Sequence, residues 1–291
     1  MYLPDFNYYQ PETIPEACEI LVRYGSKAKV LAGGTDLLPK MKQDLLAPQA
    51  LVSLRGISGM SKIEYFPGRG VVIGARATPN DIVNAKVLNE NYLSVSEAAH
   101  TMANNQIRNM GSIGGNIVNA VPSADLPPIL IALGATVVLA GAEGSRTMAL
   151  EDFILGPGRT QIAPDEILEA VVIPDQSTTG SSYLKFGLRA SGALAVVGVA
   201  VAVTMEGGIA EDICIVLGAV APTPLRAKKA EAKLRGKQIT EKLIAAASQS
   251  AADECKPISD IRASEEYRRE MVRVFTKRAL RKAMYLEEAE S

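Results

Sequence analysis

The sequence has one histidine, three cysteines and no tryptophan in 291 residues. Since His100 stands alone, a catalytic pair of histidines or a metal site built from histidines is excluded. Cys18, Cys214 and Cys255 lie far apart and form no CxxC pair, so this chain alone offers no iron–sulfur or zinc site. We expect buried apolar thiols at these positions and assign no metal ligand.

The sequence also lacks a strong net charge and a long apolar run. With 31 basic and 32 acidic residues the formal net charge is −1, which gives no general attraction to nucleic acid or to an acidic membrane. The longest apolar runs, 128–142 and 192–205, are too short to span a bilayer. The N-terminal residues show neither the basic nor the apolar region of a secretory signal. We expect a cytoplasmic protein without nucleic-acid binding or a membrane span.

Helix and strand patterns are mixed along the chain without regular βαβ alternation, which is typical of the α+β class. Thr13–Glu16 and Ser94–Glu97 have the spacing of capping boxes, and Thr78 is expected to start another helix. Apolar runs predict strands at 27–32, 50–54, 70–78, 135–141 and 166–174, and a short helix within 123–134.

A polar, turn-rich stretch at 175–182 predicts a domain boundary. Strand-like runs follow it at 183–189, 195–206 and 211–220. Two basic helical segments, 226–255 and 264–286, close the chain. On the second segment, helical spacing predicts one apolar face made of Tyr267, Met271, Val274, Phe275 and Ala279.

Two stretches are rich in glycine: "VLAGGTDLLPKMK" (30–42) and "QIRNMGSIGGNIVNA" (106–120). Glycine-rich turns expose clusters of backbone N–H groups that bind anions, and glycine lets the backbone approach a ligand closely. Two such turns could hold the two phosphates of a dinucleotide. Neither stretch matches GxxxxGK[ST] or GxGxxG, so tight turns without a ligand remain an alternative reading of the glycines alone.

Together, these stretches resemble the two FAD-binding signatures of the flavoprotein (medium) subunit of molybdenum hydroxylases, a family that includes xanthine dehydrogenase and molybdenum-containing carbon monoxide dehydrogenase. The resemblance covers nearly the whole chain, and within the family it points to the separate FAD subunit of a bacterial xanthine dehydrogenase-like complex. Later segments are similar to later landmarks of the same subunit: "GPGRT" (156–160), "DEILEAVVIP" (165–174), "LGAVAPTPLRA" (217–227) and "RASEEYRR" (262–269).

This resemblance implies an FAD-binding domain of the vanillyl-alcohol oxidase type at residues 1–176, in two α+β subdomains at about 1–57 and 58–176. A C-terminal α+β domain like that of the carbon monoxide dehydrogenase flavoprotein would occupy 178–288, with a three-stranded sheet and a helical bundle. FAD would lie between the two domains.

The resemblance also implies roles for residues. The first loop, Ala32 to Asp36, would surround the pyrophosphate with its amides, and the second loop, Gly111 to Asn116, would complete that cradle. Asp125 would hold the ribityl or adenosine part, Leu168 would contact the flavin edge, and Lys185 would stabilise negative charge on the reduced flavin. No residue is expected to be catalytic. The full set expected to bind the cofactor is Leu31, Ala32, Gly33, Gly34, Thr35, Asp36, Met102, Ile107, Gly111, Ser112, Gly114, Gly115, Asn116, Ala120, Ser123, Asp125, Leu168 and Lys185.

Two positions depart from the family pattern. Ala193 stands where the family often has an acidic residue, which in NAD-using relatives lies near the nicotinamide side, so use of NAD is left open. Met102 stands where some relatives place an aromatic ring over the flavin. Its thioether can pack on a ring but cannot stack as an aromatic side chain does.

The implied function is electron transfer within a complex. A large partner subunit would carry molybdopterin, a small partner would carry two [2Fe–2S] clusters, and FAD in this chain would pass electrons to NAD or another acceptor. One alternative is a self-contained FAD-dependent oxidoreductase, which would need its own substrate pocket and acid–base residues. The other is a non-redox interaction subunit without FAD, which the intact glycines of both loops disfavour.

Overall fold

A computed structural model describes residues 3–175 and 177–285 of the chain. The predicted domain limits at 1, 176 and 288 and the predicted helix end at 286 lie outside these residues. The described residues form three main β-sheets with helices between and beside them, so the expected α+β class is confirmed. No helix among them is both long enough and apolar enough to cross a membrane.

Residues 3–57 form a small parallel sheet with β3 in the middle. Helix α1 begins after Thr13, whose side chain accepts the N–H of Glu16, but the Glu16 carboxylate accepts from Glu12 rather than from Thr13, so only half of the expected capping box is present. The elements are β1 (Asn7–Tyr9), α1 (Ile14–Tyr24), β2 (Ala28–Leu31), α2 (Leu37–Lys42) and β3 (Ala50–Ser53). The first glycine-rich loop therefore connects the end of β2 to α2.

Residues 58–175 form an antiparallel sheet of order β4-β5-β10-β6-β7, with a layer of short helices inserted between β5 and β6. The elements are β4 (Ile63–Phe66), β5 (Gly70–Gly74), α3 (Pro79–Asn84), α4 (Lys86–Asn91), α5 (Leu93–Thr101), α6 (Asn105–Arg108), α7 (Ile113–Val118), α8 (Leu126–Ala132), β6 (Thr136–Gly141), β7 (Gly144–Ala149), α9 (Leu150–Phe153), β8 (Ile154–Gly156), β9 (Arg159–Thr160) and β10 (Ile167–Ile173). The second glycine-rich stretch thus contains two short helices.

Helix α3 begins as expected at Thr78, which forms a complete capping box with Asp81. The predicted capping box at Ser94 is wrong, because α5 already begins at Leu93. Ser94 is buried and shares a hydrogen bond of 2.7 Å with the Ser181 hydroxyl, while Glu97 accepts from the Lys282 ammonium at 2.8 Å. These two side chains hold the C-terminal region rather than cap a helix.

Residues 177–285 form an antiparallel sheet of order β11-β12-β13-β14, in which β15 also pairs with β13. The expected three-stranded sheet is therefore extended by two strands of two residues each, and the predicted helical segment 226–255 is divided into two helices by β15. The elements are β11 (Gly180–Phe186), β12 (Val197–Glu206), β13 (Ile209–Gly218), β14 (Leu225–Arg226), α10 (Lys228–Leu234), β15 (Lys237–Gln238), α11 (Glu241–Glu254) and α12 (Glu265–Ala283).

The two faces of this third sheet pack against different partners. On β12, Val199, Val201 and Val203 belong to the core shared with the C-terminal helices, whereas Ala200 and Ala202 belong to the core of the N-terminal region. Alternate residues of a strand point to opposite faces, so the large side chains of β12 meet α12 and the small ones face α8. This face joins the two parts of the chain.

The buried face of α12 matches the predicted one in part, since Ala279 is buried and Met271 and Phe275 pack against the core. Tyr267 is 46% exposed, and its neighbour Arg268 is 1% exposed. The Arg268 guanidinium donates to the carbonyl oxygens of Val196 and Ala219 and to the Asp260 carboxylate. A charged residue thus occupies the inner face, where the sheet end and a loop carboxylate accept from its two terminal nitrogens, while its buried Nε has no partner among the described residues.

Candidate cofactor site

A cavity of about 750 Å³ lies between the N-terminal region and the loop that follows β11. This volume is within the range of sites that bind small molecules or cofactors. All but two of the residues predicted to bind the cofactor line it, namely Leu31, Ala32, Gly33, Gly34, Thr35, Asp36, Met102, Ile107, Gly111, Ser112, Gly114, Gly115, Asn116, Ser123, Asp125 and Leu168. The structure therefore brings together both glycine-rich loops and residues from two later segments, around Asp125 and Leu168.

The two exceptions are Ala120 and Lys185, which do not line the cavity. Ala120 is buried in the left-handed region, with a φ of 46°, and its carbonyl oxygen accepts from the N–H of Gly158 at 3.1 Å. Ala120 therefore shapes the turn after α7. Lys185 is bonded through its ammonium to Asp125, which does line the cavity.

The first loop presents unpaired backbone donors. Among the described residues, the N–H groups of Gly33, Gly34, Thr35 and Asp36 have no hydrogen-bond acceptor within the protein. All of these residues line the cavity, and Gly34 turns the chain there with a φ of 73°. Because backbone N–H groups are normally paired, four adjacent free donors at a cavity wall indicate a site for a ligand with several acceptor oxygens.

The second loop presents a different arrangement, because its glycine N–H groups are already bonded within the protein. The expectation that this loop completes the cradle therefore depends on its side chains, such as that of Asn116, and stays a prediction. The N–H groups of Gly111, Gly114 and Gly115 are bonded within the protein, to the Ile107 carbonyl at 2.7 Å, to the Ala75 carbonyl at 2.8 Å and to the Ser112 hydroxyl oxygen at 3.1 Å. A Cβ at Gly114 would lie 2.8 Å from both the Cβ and the carbonyl oxygen of Ala75. Glycine is needed there so that α7 can pack against the chain just after β5.

The two loops cross closely at Gly33. A Cβ at this position would collide with the carbonyl oxygen of Met110, so the first loop can lie against the second only because Gly33 has no side chain. Ser112 caps α7 through its bond from Gly115 and leaves the helix side that carries Asn116 facing the cavity.

Asn116 offers a polar atom that lacks a partner. Its Oδ1 is buried without a hydrogen bond. Few buried side-chain polar atoms of the described residues lack a partner, and among them this is the one that lies in a residue of the cavity wall. An orphaned acceptor of this kind is costly unless a ligand group donates to it. The side-chain amide can also rotate by 180° to present its NH₂ group instead.

Asp125 connects the cavity to the C-terminal region. Its two carboxylate oxygens accept from the Tyr183 hydroxyl and the Lys185 ammonium, both at 2.8 Å, and Lys185 also donates to the Thr101 carbonyl at 3.0 Å. Burial raises the pKa of Asp125, while Lys185 and Tyr183 act against that rise. Burial and the Asp125 charge raise the pKa of Tyr183 well above its usual value. Lys185 is thus a cation neutralised by Asp125, which does not support its predicted contact with the flavin.

Sequence reasoning assigned Asp125 and Lys185 separately and missed Tyr183. The signal for Tyr183 was present, because residues two apart on a strand share a face and Tyr183 precedes Lys185 by two on β11. Their common partner, Asp125, just before α8, is apparent only in the tertiary structure.

Glu166 forms part of the wall farther along the cavity and was also missed. Its carboxylate accepts from Arg146 at 2.6 and 2.8 Å and from the N–H of Ala163 at 2.7 Å. The hydrogen bond from Arg146 is the main cause that lowers the pKa of Glu166. Residues of three chain segments are thereby fixed around this end of the cavity.

The C-terminal region covers part of the cavity with the loop 192–194. The N–H of Gly192 donates to the Ala103 carbonyl at 2.8 Å, which places Ala193 and Met102 on the same cavity wall. His100 is exposed and does not line the cavity. This wall is therefore apolar where the family pattern has an acid.

Comparison with known proteins identifies the family. Residues 4–176 match the model of the FAD binding domain in molybdopterin dehydrogenase, and residues 182–283 match that of the CO dehydrogenase flavoprotein C-terminal domain. The chain belongs to the FAD-binding subunits of the molybdenum hydroxylase family. Members of this family are oxidoreductase subunits, and FAD is the cofactor of the N-terminal domain.

Similarity to individual family members extends over nearly the full length of the chain. The carbon monoxide dehydrogenase medium chain of Hydrogenophaga pseudoflava is 36% identical, with 97% of this chain and 98% of that protein covered. The glyceraldehyde dehydrogenase medium chain of Sulfolobus acidocaldarius is 33% identical, with 97% and 99% covered. A solved structure of the H. pseudoflava carbon monoxide dehydrogenase lacking the Mo-pyranopterin moiety of its cofactor matches with a TM-score of 0.94, covering 98% of this chain and 99% of that one.

Proposed function

We propose that this chain is the FAD-binding, electron-transferring subunit of a cytoplasmic molybdenum hydroxylase complex. Its partners are a large subunit with molybdopterin and a small subunit with [2Fe–2S] clusters, which together with it form a heterotrimeric unit. Electrons from the iron–sulfur clusters reach FAD in this chain and leave to NAD or another acceptor. The observation that carries the proposal is the set of four free N–H groups at Gly33 to Asp36, lining a cavity of cofactor size.

The residues present fit FAD. The free amides after β2 would bind the pyrophosphate oxygens, since clustered N–H groups favour anions. The unpaired Asn116 side chain would bond a hydroxyl or phosphate oxygen nearby, and Met102 and Leu168 would supply apolar contact to the flavin. FAD, when bound, accepts and releases electrons, and the chain itself binds and orients it without a catalytic residue.

Two of the three carboxylates that line the cavity, Asp125 and Glu166, favour electron transfer over a self-contained oxidoreductase. Asp125 is held by Lys185 and Tyr183, and Glu166 is held by Arg146. Both carboxylates are engaged in hydrogen bonds and ion pairs that hold parts of the fold together, so neither is available to take a proton from a substrate. This supports a division of labour in which the substrate reacts on another subunit.

The proposal is tested by isolating the chain, with an affinity tag, from the organism that encodes it. We expect a large molybdopterin-containing chain and a small iron–sulfur chain to co-purify in equal amounts, together with one FAD per complex identified by mass after denaturation. The purified complex, reduced through its clusters, is then offered NAD and an artificial dye in parallel to identify the acceptor class.

A tagged Gly33→Ala chain is the matched control, because it should lose FAD while keeping its partners. An FAD-loaded chain that purifies alone and turns over a substrate would favour the self-contained oxidoreductase. A complex without flavin that takes up no added FAD would favour the non-redox interaction subunit. Either result contradicts the proposal.

A further inference from the structure

Lys40 extends from α2 to the segment after α7. Its ammonium donates to the Oδ1 of Asn119 at 3.0 Å, and both residues line the cavity. Asn119 lies three residues after Asn116, so the two amide side chains share one face of α7 and its C-cap. The Lys40–Asn119 bond therefore joins the segments that follow the two glycine-rich loops.

Lys40 is the cation of the cavity best placed to meet an anion at the first loop. The other two cations of the wall are Lys29, on β2 before the loop, and Arg108, which donates to the Met102 carbonyl and to Asn80. Within the described part of the chain Lys40 has no carboxylate within 4 Å, and its partner is a neutral amide. Its positive charge is therefore not compensated.

The N–H groups of the first loop carry no net charge, so an anion bound there still lacks a positive charge, which Lys40 can supply. The pyrophosphate of FAD is dianionic near neutral pH, whereas the backbone N–H groups of Gly33 to Asp36 offer dipoles without net charge, and the Asp36 carboxylate adds a negative charge to the cavity wall. A partly desolvated dianion gains more from a nearby ammonium than from further dipoles. Lys40 lies on the helix that this loop enters, so its flexible side chain can reach either Asn119 or an anion at the loop.

We propose that Lys40 is a pyrophosphate-binding residue that exchanges Asn119 for the FAD phosphates when the cofactor binds. This inference rests on the proposed FAD binding and extends it to a residue that selects phosphorylated flavins. In the absence of an anion, Asn119 holds the ammonium at the cavity wall. In its presence, the charge-assisted bond to phosphate replaces the bond to the neutral amide.

A structural clasp between α2 and α7 is the competing explanation of the same bond, and two variants separate them. If the bond only holds the helices together, Lys40→Met and Asn119→Ala should weaken FAD binding equally. If Lys40 moves to the phosphates, Lys40→Met should weaken FAD binding by about tenfold or more, the usual scale for a lost charge-assisted bond. Asn119→Ala should then leave the affinity unchanged or improve it, because a competing acceptor is gone.

The experiment titrates FAD into the purified protein after its flavin is removed, with any co-purified partners in place, and follows flavin fluorescence at several salt concentrations. Lys42→Met, an exposed change on the same helix, is the control, and Lys40→Arg should retain binding. Riboflavin, which lacks phosphate, is titrated in parallel. We expect Lys40→Met to raise the FAD Kd at least tenfold, to flatten its salt dependence and to leave riboflavin binding unchanged.

An FAD Kd within twofold of wild type in Lys40→Met would overturn the inference, and so would equal losses in Lys40→Met and Asn119→Ala. Unchanged thermal unfolding of each variant shows that a lost affinity is not lost folding. A wild-type protein that takes up no FAD would overturn the proposed function instead, so the two failures are distinguishable.

Discussion

The two glycine-rich loops line the same cavity, but they differ in whether their backbone N–H groups have acceptors within the protein. In the first loop, the N–H groups of Gly33 to Asp36 have no acceptor among the described residues. In the second, the N–H groups of Gly111, Gly114 and Gly115 are bonded within the protein. We therefore propose that the first loop binds the cofactor, whereas the second supports the cavity wall and positions Asn116.

The difference shows that glycine can serve two purposes within one cofactor site. At Gly33 the missing side chain lets the two loops cross, which leaves the following amides free and aimed at the cavity. At Gly114 it lets α7 pack directly on Ala75. The same residue type thus contributes to binding in one loop and to packing in the other, and substitutions should separate the two effects.

The largest effect is expected for Gly114→Ala. Its new Cβ would lie 2.8 Å from two atoms of Ala75, one of them backbone, so α7 or the chain after β5 must move. We expect a loss of about 3 kcal/mol in the free energy of unfolding, the upper end for overpacking. Chemical denaturation measures it.

Gly115→Ala is the matched control, since its Cβ would meet only the Ser112 hydroxyl at 3.1 Å. Alanine also favours the helix by up to about 1 kcal/mol, so this variant should stay within that margin of wild type. Equal losses in both variants would show that Gly114 is not selected by packing.

The next effect is expected for Gly33→Ala, and it should appear in cofactor binding more than in folding. A Cβ would force the first loop away from Met110 and displace the free amides. We expect the FAD Kd to rise about hundredfold, or about 2.7 kcal/mol, with a smaller change in Tm. Flavin fluorescence titration provides the affinity, and a variant with wild-type affinity would contradict the role of this loop.

A smaller effect is expected for Ser112→Ala, which removes the cap of α7. Loss of a serine N-cap costs about 1 kcal/mol of stability, and glycine at the same position restores most of it. Because the four adjacent free amides belong to the other loop and this change leaves the backbone N–H of residue 112 in place, FAD affinity should change less than twofold. A large affinity loss in Ser112→Ala with unchanged stability would mean that the second loop binds the cofactor directly.

The smallest effect concerns Glu166, which belongs to neither loop. Arg146 lowers the pKa of Glu166 below its reference value of 4.5, so the folded protein holds this carboxylate deprotonated more strongly than the unfolded chain does. The resulting stability is present above pH 4.5 and is lost as the pH falls through the lowered pKa. In Glu166→Gln, the part of the fall in unfolding free energy at low pH that comes from Glu166 should disappear. Denaturation at a series of pH values measures this. Glu169→Gln serves as control, and equal acid profiles for Glu166→Gln and wild type would contradict the assignment.

Local sequence patterns predicted most elements of the fold because they depend on local chemistry. The strands at β5, β6 and β10 follow from their apolar runs, and α3 begins at Thr78 as expected. The predicted cap at Ser94 is wrong because Ser181 and Lys282, both distant in the chain, bind the two residues of that pattern. Here the tertiary contacts of Ser94 and Glu97 determine their role, although the local sequence has the spacing of a capping box.

The sequence indicated which residues line the cavity better than it indicated what each of them does there. Most residues indicated by the family signature line the cavity, yet whether their N–H groups are free depends on contacts such as that of Gly114 with Ala75, which no local pattern shows. The burial of Arg268 is similar, since a charged residue enters the core only when distant carbonyls accept from it. Partners that lie far apart in sequence decide these details.

The most direct test is amide hydrogen exchange of the two loops with and without FAD. Peptides covering 31–37 and 111–117 are followed by mass spectrometry in the purified protein. The account predicts that the N–H groups of Gly33 to Asp36 exchange fast without FAD and become protected when it binds, whereas those of Gly114 and Gly115 are protected in both states. Protection by FAD confined to 111–117, with no change in 31–37, would contradict the claim that the first loop binds the cofactor.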